Sequence, residues 1–547
     1  MPTIPLDEGR IGVPSYEKSS RSSWASLGAE VSRGSRSCGR GTVGVRASAV
    51  LLACIGIALA LGIALALGVA LALGVVGPSA AGPAPSFAAA KKYAGKTWPT
   101  LATVADMNGD GTLDLVTRNG LRGGGVSVFL NGGDGSFRER HDYVAPRDSD
   151  VAIGDLNGDG KPDVTVPNND GATVSIRLNR GDGSLGPEQA YGTGIGPFSV
   201  ATADLDGDGR PDLVTANERG HTVSVLLNEG NGSFGPKRDF QTGKDPELLA
   251  VADLNGDGKV DLVSLEGLPT SAFSVLLNRG GGIFNATSHY RSEPMNSVGL
   301  ADLNGDGRPD LAAANDFDNV VSVFMNRGDG SFRARRTYRT VGHVPGSLRI
   351  LDLNGDGRLD LVTVNEGSRT VSVFINRGGG SFRLAHRYAT GDLPGPIAVG
   401  DLNGDGTPDL AVANLVPYSS VSVFDNRGDG SFRARLDHST GKNPRSVAIG
   451  DLNGDGRPDL VTVSGDSNRV SVLINTPGLC AVQDVKYRTL PSAKRAMLCA
   501  NCRVGRVRRA YSKRIRIGSV ISQTPKPGLV LHKGGKVNLV VSRGRKR

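Results

Sequence analysis

A nine-residue pattern, written DLNGDGRPD at residues 451–459, occurs eight times in this chain. Its first, third, fifth and ninth residues carry carboxylate or amide oxygens, and glycines at the fourth and sixth positions allow a sharp turn. Calcium takes about six to eight oxygen ligands and tolerates irregular geometry, whereas magnesium demands a stricter octahedron. The pattern therefore predicts a calcium site in each copy.

The predicted ligands are the four oxygen-bearing residues of each copy, so up to eight Ca²⁺ ions are expected. They are Asp106, Asn108, Asp110, Asp114, Asp155, Asn157, Asp159, Asp163, Asp204, Asp206, Asp208, Asp212, Asp253, Asn255, Asp257, Asp261, Asp302, Asn304, Asp306, Asp310, Asp352, Asn354, Asp356, Asp360, Asp401, Asn403, Asp405, Asp409, Asp451, Asn453, Asp455 and Asp459. The third copy has four carboxylates and is expected to bind most tightly. The alternative is an Asx-rich turn without metal, in which the acidic side chains would repel one another in every copy.

The copies begin 49 or 50 residues apart, which indicates a repeat architecture. Each repeat contains four short strand-like runs separated by turn residues, as in a β-propeller blade, and is too long for a β-helix coil. The last repeat stops after its third strand, while residues 86–106 resemble a fourth strand followed by a first strand. The N-terminal segment is therefore expected to complete the last blade, giving an all-β propeller of eight four-stranded blades, or seven if one copy lies outside the ring.

The repeat resembles the FG-GAP/VCBS repeat of integrin α-subunit heads and bacterial surface proteins, over about residues 87–476. That resemblance implies that the loop between the first two strands of a blade binds calcium, which stabilises the propeller, while partners bind the opposite face. The connections on that opposite face differ between repeats, as in NERGHT at 217–222 and NLVPYSS at 414–420. The candidate ligand residues in these connections are Trp98, Phe198, His221, Phe317, His343, Arg369 and Tyr418, for which ordinary loop packing is the alternative.

From Cys480 the repeat ends, and the sequence resembles a single PASTA domain through Gly505, Gly518, Gln523, Pro525, Gly528, Gly534 and Ser542. The resemblance implies a small α+β domain over residues 480–544 that contacts peptidoglycan or serves as a spacer. Cys480 and Cys502 are expected to form a disulfide outside the cell, leaving Cys499 over. The CxxC spacing of Cys499 and Cys502 would need further ligands to hold zinc.

The N-terminal region is predicted to be an export or membrane-anchoring segment. Residues 48–76 are uncharged and apolar, long enough for a transmembrane helix and longer than a usual signal core. Arginines before this run place the N-terminus inside the cell, so either reading exports the rest of the chain. Residues 1–47 are expected to be a disordered basic segment, if they are translated, and residues 77–86 a linker before the propeller at 87–479.

Charge divides the chain into unlike parts. Residues 480–547, which end in a basic tail at 545–547, hold 18 Lys and Arg against one acid, and residues 1–47 hold seven against four. Because the net charge is +9, the middle of the chain must carry −11. The basic end suggests peptidoglycan or another anionic wall polymer as a partner, or merely a solvated surface, and no nucleic acid is expected.

No catalytic constellation stands out in the sequence, because the seven histidines are scattered and the aspartates belong mainly to the predicted metal loops. The sequence therefore favours a non-enzymatic protein, secreted or anchored through residues 48–76, whose calcium-binding propeller recognises a glycan or protein. The alternatives are a structural surface spacer and a propeller-based polysaccharide lyase or hydrolase.

Overall fold

The structure is a computed structural model that describes residues 84–120, 124–145, 150–267, 271–415, 419–476, 480–482, 484–499, 502–531 and 535–545. The predicted N-terminal segment, the apolar run at 48–76 and most of the linker lie outside these residues. Within them, no helix is both long and apolar enough to cross a bilayer.

Eight antiparallel four-stranded sheets, here called blades 1 to 8, form the propeller. The first strands are Pro99–Ala105, Ala152–Gly154, Pro197–Ala203, Pro246–Ala252, Met295–Ala301, Pro345–Leu351, Pro394–Gly400 and Pro444–Gly450. The second strands are Asp114–Asn119, Asp163–Asn168, Asp212–Asn217, Asp261–Glu266, Asp310–Asn315, Asp360–Asn365, Asp409–Asn414 and Asp459–Ser464. The predicted eight-bladed arrangement is thus confirmed.

The outer half of each blade is made by a third and a fourth strand. The third strands are Gly125–Asn131, Thr173–Arg177, Thr222–Leu226, Ala272–Asn278, Val320–Phe324, Thr370–Asn376, Ser420–Phe424 and Arg469–Leu473. The fourth strands of blades 1 to 7 are Phe137–Val144, Gln189–Gly192, Arg238–Gln241, Phe284–Arg291, Arg336–Arg339, Phe382–Ala389 and Leu436–Ser439. Blade 3 adds a short hairpin of Asn228–Gly230 and Ser233–Phe234, and a 3₁₀ turn at Glu218–Gly220.

The N-terminal segment closes the ring, as the sequence predicts. The fourth strand of blade 8 is Lys91–Ala94, which pairs antiparallel with Arg469–Leu473. Just before it, Phe87 is 2% exposed, forms a bridge with Asn475, and packs in a core with residues of blades 7 and 8. The first strand of blade 1 also contacts that of blade 8. Closure covers the outer edge of Arg469–Leu473 and gives blade 8 the same four strands as the other blades.

Small cores lie between neighbouring blades instead of one large core. One cluster joins Leu115 and Phe129 of blade 1 with Val461 and Val472 of blade 8. Second strands are buried on both faces, as in Asp360–Asn365, because a neighbouring blade covers each face. The fourth strands contain mainly half-buried and exposed residues, because they form the rim of the ring. This packing explains how a chain with few large aromatic residues forms a stable propeller.

The C-terminal domain is a small α+β unit. Its strands Arg503–Ala510, Lys536–Ser542 and Val520–Thr524 form a sheet in that spatial order, and its helix is Leu490–Cys499. A short pair joins Cys480–Ala481 to Val530–Leu531. Cys502 is buried and disulfide-bonded. Because the side chain of Cys480 lies outside the described residues, its pairing with Cys502 stays a prediction.

Acidification is expected to weaken ring closure through His438. The His438 ring packs edge-on against Phe87 at 5.1 Å between centroids, its Nε2 is buried without a hydrogen-bond partner among the described residues, and burial lowers its pKa to about 4. Above pH 6.5 the His438 imidazole is mainly neutral in both the folded and the unfolded state. As pH falls toward 4 only the unfolded state gains the proton, so stability is lost by up to about 3 kcal/mol. Urea unfolding of the parent and a His438→Leu variant should therefore diverge, in favour of the variant, between pH 6.5 and 4; parallel curves would contradict this assignment.

Candidate functional site

Each predicted metal loop is a tight backbone turn around its first carboxylate. In the third loop, Asp204 Oδ1 accepts hydrogen bonds from Gly207 N at 2.7 Å and Asp208 N at 3.2 Å, and its Oδ2 accepts one from Gly209 N at 2.9 Å. Both glycines have a positive φ, near 88° and 86°, which other residues adopt only with strain. The same pattern of bonds to the first carboxylate recurs, with small variations, in the other loops.

The third loop gathers three carboxylates. Oxygens of Asp204, Asp206 and Asp208 all lie within 4.8 Å of one another, and the described residues contain no other such group of three acidic, His or Cys side chains. Burial raises the pKa of Asp206, and the neighbouring Asp208 carboxylate raises it further. In the other loops the third residue is asparagine, which explains why they lack a third carboxylate at this place. An all-oxygen donor set with mutual repulsion fits a hard divalent cation such as Ca²⁺.

The ninth aspartate of each loop has a structural role that the sequence did not suggest. Asp310, for example, is fully buried; its Oδ2 accepts a hydrogen bond from Leu303 N at 3.1 Å and its Oδ1 one from Asn326 N at 2.7 Å. All eight ninth aspartates make this pair of bonds. They tie the start of the loop to the end of the third strand, and whether they also bind metal stays a prediction.

Burial raises the pKa of these ninth aspartates. It raises the pKa of Asp310 to about 6 and that of Asp212 to about 7, although hydrogen bonds from the backbone oppose the shift. The carboxylates at the first and fifth positions of the Asp310 loop, Asp302 and Asp306, raise the pKa further. A cation held by the loop would offset this repulsion, and the charges of the site therefore suit a bound metal.

A second unpredicted feature is an asparagine that joins each blade to the preceding one. This latch asparagine stands 16 or 17 residues after the ninth aspartate, and its Nδ2 donates to the carbonyl of the second loop residue of the preceding blade at 2.6–2.9 Å. The latch residues are Asn131, Asn179, Asn228, Asn278, Asn326, Asn376, Asn426 and Asn475. Asn131 reaches Leu452 of blade 8, so the latch continues across the closure. Its constant place in the repeat was a signal that sequence reasoning could have used.

The opposite end of the ring, here called the variable face, comprises the connections between second and third strands and those between blades. Fourteen non-glycine residues in the described chain have a positive φ, and twelve of them lie in these connections. They are Trp98, Ala172, His221, Asp245, Ser271, Asn319, Val344, Arg369, Leu393, Ser419, Asn443 and Asn468, with φ of 42–57°. Such backbone conformations cost about 1–2 kcal/mol for an L-residue. The fold thus imposes loop shapes here while the side chains differ from blade to blade.

The predicted ligand residues are spread around this face. The Arg445 guanidinium lies 5.2 Å from the Trp98 ring, and Arg369 pairs with Asp392 at 2.5 Å. His221 Nδ1 accepts a hydrogen bond from Asp245 N at 3.1 Å. These contacts are within the protein, as the packing alternative expected.

The remaining candidates include one large exposed side chain. Phe317 is 60% exposed, His343 is exposed and Phe198 is partly buried, while Tyr418 lies outside the described residues. The described candidates are therefore distributed over several blades and do not form one cluster.

One side of the variable face, on blades 5 to 7, combines apolar and acidic groups. Here Val341, Val344 and Leu393 are 55%, 38% and 45% exposed, in the connections that follow blades 5 and 6, and Phe317 lies in a connection within blade 5. Burial raises the pKa of Glu366 to about 7, and the Asp316 carboxylate on the neighbouring blade raises it further. We call Asp316, Phe317, Val344, Glu366 and Leu393 the blade 5–7 patch. It offers apolar surface beside hydrogen-bonding carboxylates.

Family models match most of the chain. A model described as an FG-GAP-like repeat matches seven overlapping windows, at residues 106–166, 155–215, 204–264, 253–313, 302–363, 352–412 and 401–462. A PASTA domain model matches residues 481–543. No curated protein sequence matches the chain.

Several solved structures show a limited likeness to the chain. An Agrocybe aegerita lectin that recognises non-reducing terminal N-acetylglucosamine is 22% identical, with a TM-score of 0.39, covering 57% of this chain and 91% of the lectin. A V. cholerae biofilm matrix protein is 13% identical, with a TM-score of 0.45, covering 72% of this chain and 92% of that one. A putative 6-phosphogluconolactonase of Bacteroides fragilis is 18% identical, with a TM-score of 0.41, and the match covers 64% of this chain and 97% of that protein. Likenesses of this degree carry no information on ligand or activity.

Proposed function

Because the chain belongs to the FG-GAP-like repeat family, we propose that it is an exported recognition or adhesion module of the cell surface. In this proposal, Ca²⁺ stiffens the ring at one end and the variable face binds a glycan or protein at the other. The C-terminal PASTA domain contacts cell-wall peptidoglycan and so holds the propeller near the wall. A propeller of this family joined to a PASTA domain suits such a module.

The observation that carries the proposal is the separation of constant and variable connections on opposite ends of one ring. The metal loops and latch asparagines repeat in every blade, and they join consecutive blades through hydrogen bonds of 2.6–2.9 Å. The opposite connections keep the same left-handed backbone but carry different side chains. Loops held rigid before binding lose little conformational entropy when a ligand arrives.

Calcium would be held by the first, third and fifth residues of each loop and would supply positive charge that neutralises the clustered carboxylates. The protein's own part is to position those oxygens. Gly207 and Gly209 let the backbone fold around Asp204, and the buried Asp212 fixes the loop to the third strand through Asn228 N at 2.7 Å. The loops therefore act on binding only indirectly, by keeping neighbouring blades in register.

The blade 5–7 patch suits a saccharide. Apolar side chains such as Phe317 and Leu393 can pack on the faces of sugar rings, and the Glu366 and Asp316 carboxylates can accept hydrogen bonds from hydroxyl groups. Arg369 and Asp392 form an ion pair at its margin. The patch is accordingly the part of the variable face where we place ligand contact.

A second candidate function rests on the same carboxylates. Glu366, with its pKa raised to about 7 beside Asp316, has the character of a general acid. A polysaccharide-degrading activity would use such a pair, whereas a purely structural spacer would use neither the pair nor the patch.

The test is an array of glycans and muropeptides probed in calcium with the full chain and with a chain ending at residue 479. Retained binding by the shorter chain places recognition on the propeller, and Phe317→Ala with Leu393→Ala should then weaken it by about tenfold or more. The matched control is Ile283→Ala, which is 52% exposed on the calcium end and should change nothing. Loss of binding in the shorter chain would instead assign recognition to the PASTA domain.

The same array separates the second candidate. If bound oligosaccharides are cleaved and Glu366→Gln abolishes cleavage while preserving binding, the protein is an enzyme. Binding to no glycan or muropeptide would contradict saccharide recognition.

A further inference from the structure

The sheet of the C-terminal domain has one covered face and one open face. Along Lys536–Ser542, Val537, Leu539 and Val541 are buried in a core that also contains the helix residues Ala493 and Met497. The intervening Lys536 and Asn538 are exposed. Because side chains alternate across a strand, these exposed residues mark the face turned away from the helix. We call this the open sheet face.

The open sheet face carries a row of cations. Arg503 lies beside Lys536 and Arg508 beside Val540 in the parallel ladder, so both point to the open side. Arg506 lies within a register shift between Val504 and Val507, and its backbone N donates a hydrogen bond to Asn538 Oδ1 at 2.7 Å. Arg503, Arg506 and Arg508 are all exposed. The strand that carries them is an edge strand of the sheet.

A loop at the end of the same strand carries further cations. Residues 511–518 carry the exposed Lys513, Arg514 and Arg516. The loop is held in place by hydrogen bonds from Ser512 N to Gly544 O at 2.8 Å, from Ser542 Oγ to Ile515 O at 2.8 Å and from Gly518 N to Ser542 O at 2.9 Å. The cations are therefore attached to an ordered backbone.

Little acidic charge within the domain balances these cations, because Asp484 is its one acidic residue. Residues 485–547 contain no Asp or Glu, and no ion pair of these cations is found among the described residues of the domain. Ordinary solvated surfaces mix both signs, which lowers repulsion between neighbours. Several like charges on one sheet face repel one another, and an anionic chain laid along them would relieve that repulsion.

We propose that the open sheet face binds a linear phosphodiester-linked polymer of the cell surface. Arg506 and Arg508 lie two residues apart, about 6.6 Å along the strand, and the eight-residue strand extends about 26 Å. This suits a repeating anion on a flexible chain better than a single small ligand. The planar guanidinium group matches phosphate through paired hydrogen bonds, and arginine predominates over lysine in the strand. The inference goes beyond peptidoglycan contact and rests on the proposed function only in requiring export.

The test uses the full chain in an uncharged detergent and measures binding to immobilised poly(glycerol phosphate) between 50 and 300 mM salt, a range of about sixfold over which screening changes strongly. We expect binding that weakens steeply with salt. The Arg506→Gln/Arg508→Gln double variant should bind about tenfold more weakly and reduce the slope of log affinity against log salt by about 1.4. The matched control is Arg488→Gln/Lys494→Gln, which removes the same charge from exposed positions near and on the helix.

Equal weakening by both double variants would overturn the assignment to the open sheet face, since net charge alone would then explain binding. Equal or tighter binding to poly-γ-glutamate or to single-stranded DNA would overturn the choice of a surface phosphodiester polymer. If muropeptides bind and poly(glycerol phosphate) does not, this inference fails while the proposed wall contact stands. Binding to the polymer without any muropeptide binding supports the inference and counts against the peptidoglycan part of the proposed function.

Discussion

Replacing Asp310 with alanine is expected to lower the free energy of unfolding by about 2–6 kcal/mol, with or without calcium. The carboxylate is fully buried and accepts hydrogen bonds from Leu303 N and Asn326 N. Removing it leaves two buried N–H groups without acceptors, each at a cost of about 1–3 kcal/mol. Asn326 is also the latch to Leu254 of the preceding blade, at 2.8 Å, so the loss reaches two blades. Urea unfolding followed by tryptophan fluorescence and circular dichroism would measure it.

The matched control is Asp306→Ala in the same loop. Asp306 is exposed; its Oδ1 accepts a hydrogen bond from Arg308 N at 3.0 Å, and its Oδ2 accepts one from the side chain of Asn304 at 3.1 Å, both at the surface. In EGTA the free energy of unfolding of this variant should lie within about 1 kcal/mol of the parent value. Calcium should raise the free energy of unfolding less in the variant than in the parent, because one calcium site is lost. If Asp310→Ala unfolds like the parent in EGTA, the ninth aspartate has no structural role and acts through metal alone.

Replacing Phe87 with alanine is expected to cost about 3–5 kcal/mol and to open the ring. Phe87 is 2% exposed and packs with Val423, Leu460 and Leu473 between blades 7 and 8. Near it, Ala88 N donates to Ile474 O at 2.8 Å and Thr476 N donates to Ser86 O at 2.7 Å. Without its anchor the fourth strand of blade 8 should detach and leave the edge of Arg469–Leu473 unpaired.

The measurement is a melting curve together with size-exclusion chromatography, because a free strand edge promotes association. Val144→Ala is the control, since Val144 is 74% exposed and its loss should change stability by no more than about 0.5 kcal/mol. A Phe87→Ala protein that stays monomeric and melts with the parent would show that closure does not depend on this segment.

The sequence predicts the repeat, the four strands per blade, the eight-blade count and the closure by residues 86–106, because each depends on local patterns that recur at a fixed period. The fifth-position and first-position carboxylates are equally visible, since loop chemistry is contained within nine residues. What these local patterns do not reveal is the individual atom that a side chain contacts on a neighbouring blade. The Asn131 latch reaches Leu452, 321 residues away, and no spacing in the sequence indicates that pairing.

The role of the ninth aspartate was hidden for another reason. In a list of oxygen donors it looks like the first and fifth, and only burial distinguishes it: Asp459 is fully buried, whereas Asp455 is exposed. The backbone of the variable face was equally hard to predict from the sequence. Its positive-φ positions include Trp98, Val344 and Leu393, and these residue types rarely adopt such a conformation. Their conformation follows from the blade geometry around them.

The most direct test of the account is the melting temperature of the intact protein in excess Ca²⁺, in EGTA and in EGTA with Mg²⁺, together with a count of bound calcium by equilibrium dialysis. Free calcium at 100 times a site's dissociation constant stabilises the fold by about 2.7 kcal/mol per site. With eight loops occupied, we predict close to eight ions per chain and a melting temperature at least about 10 °C higher in calcium than in either control. A protein that binds no calcium and melts equally in all three solutions would contradict the account.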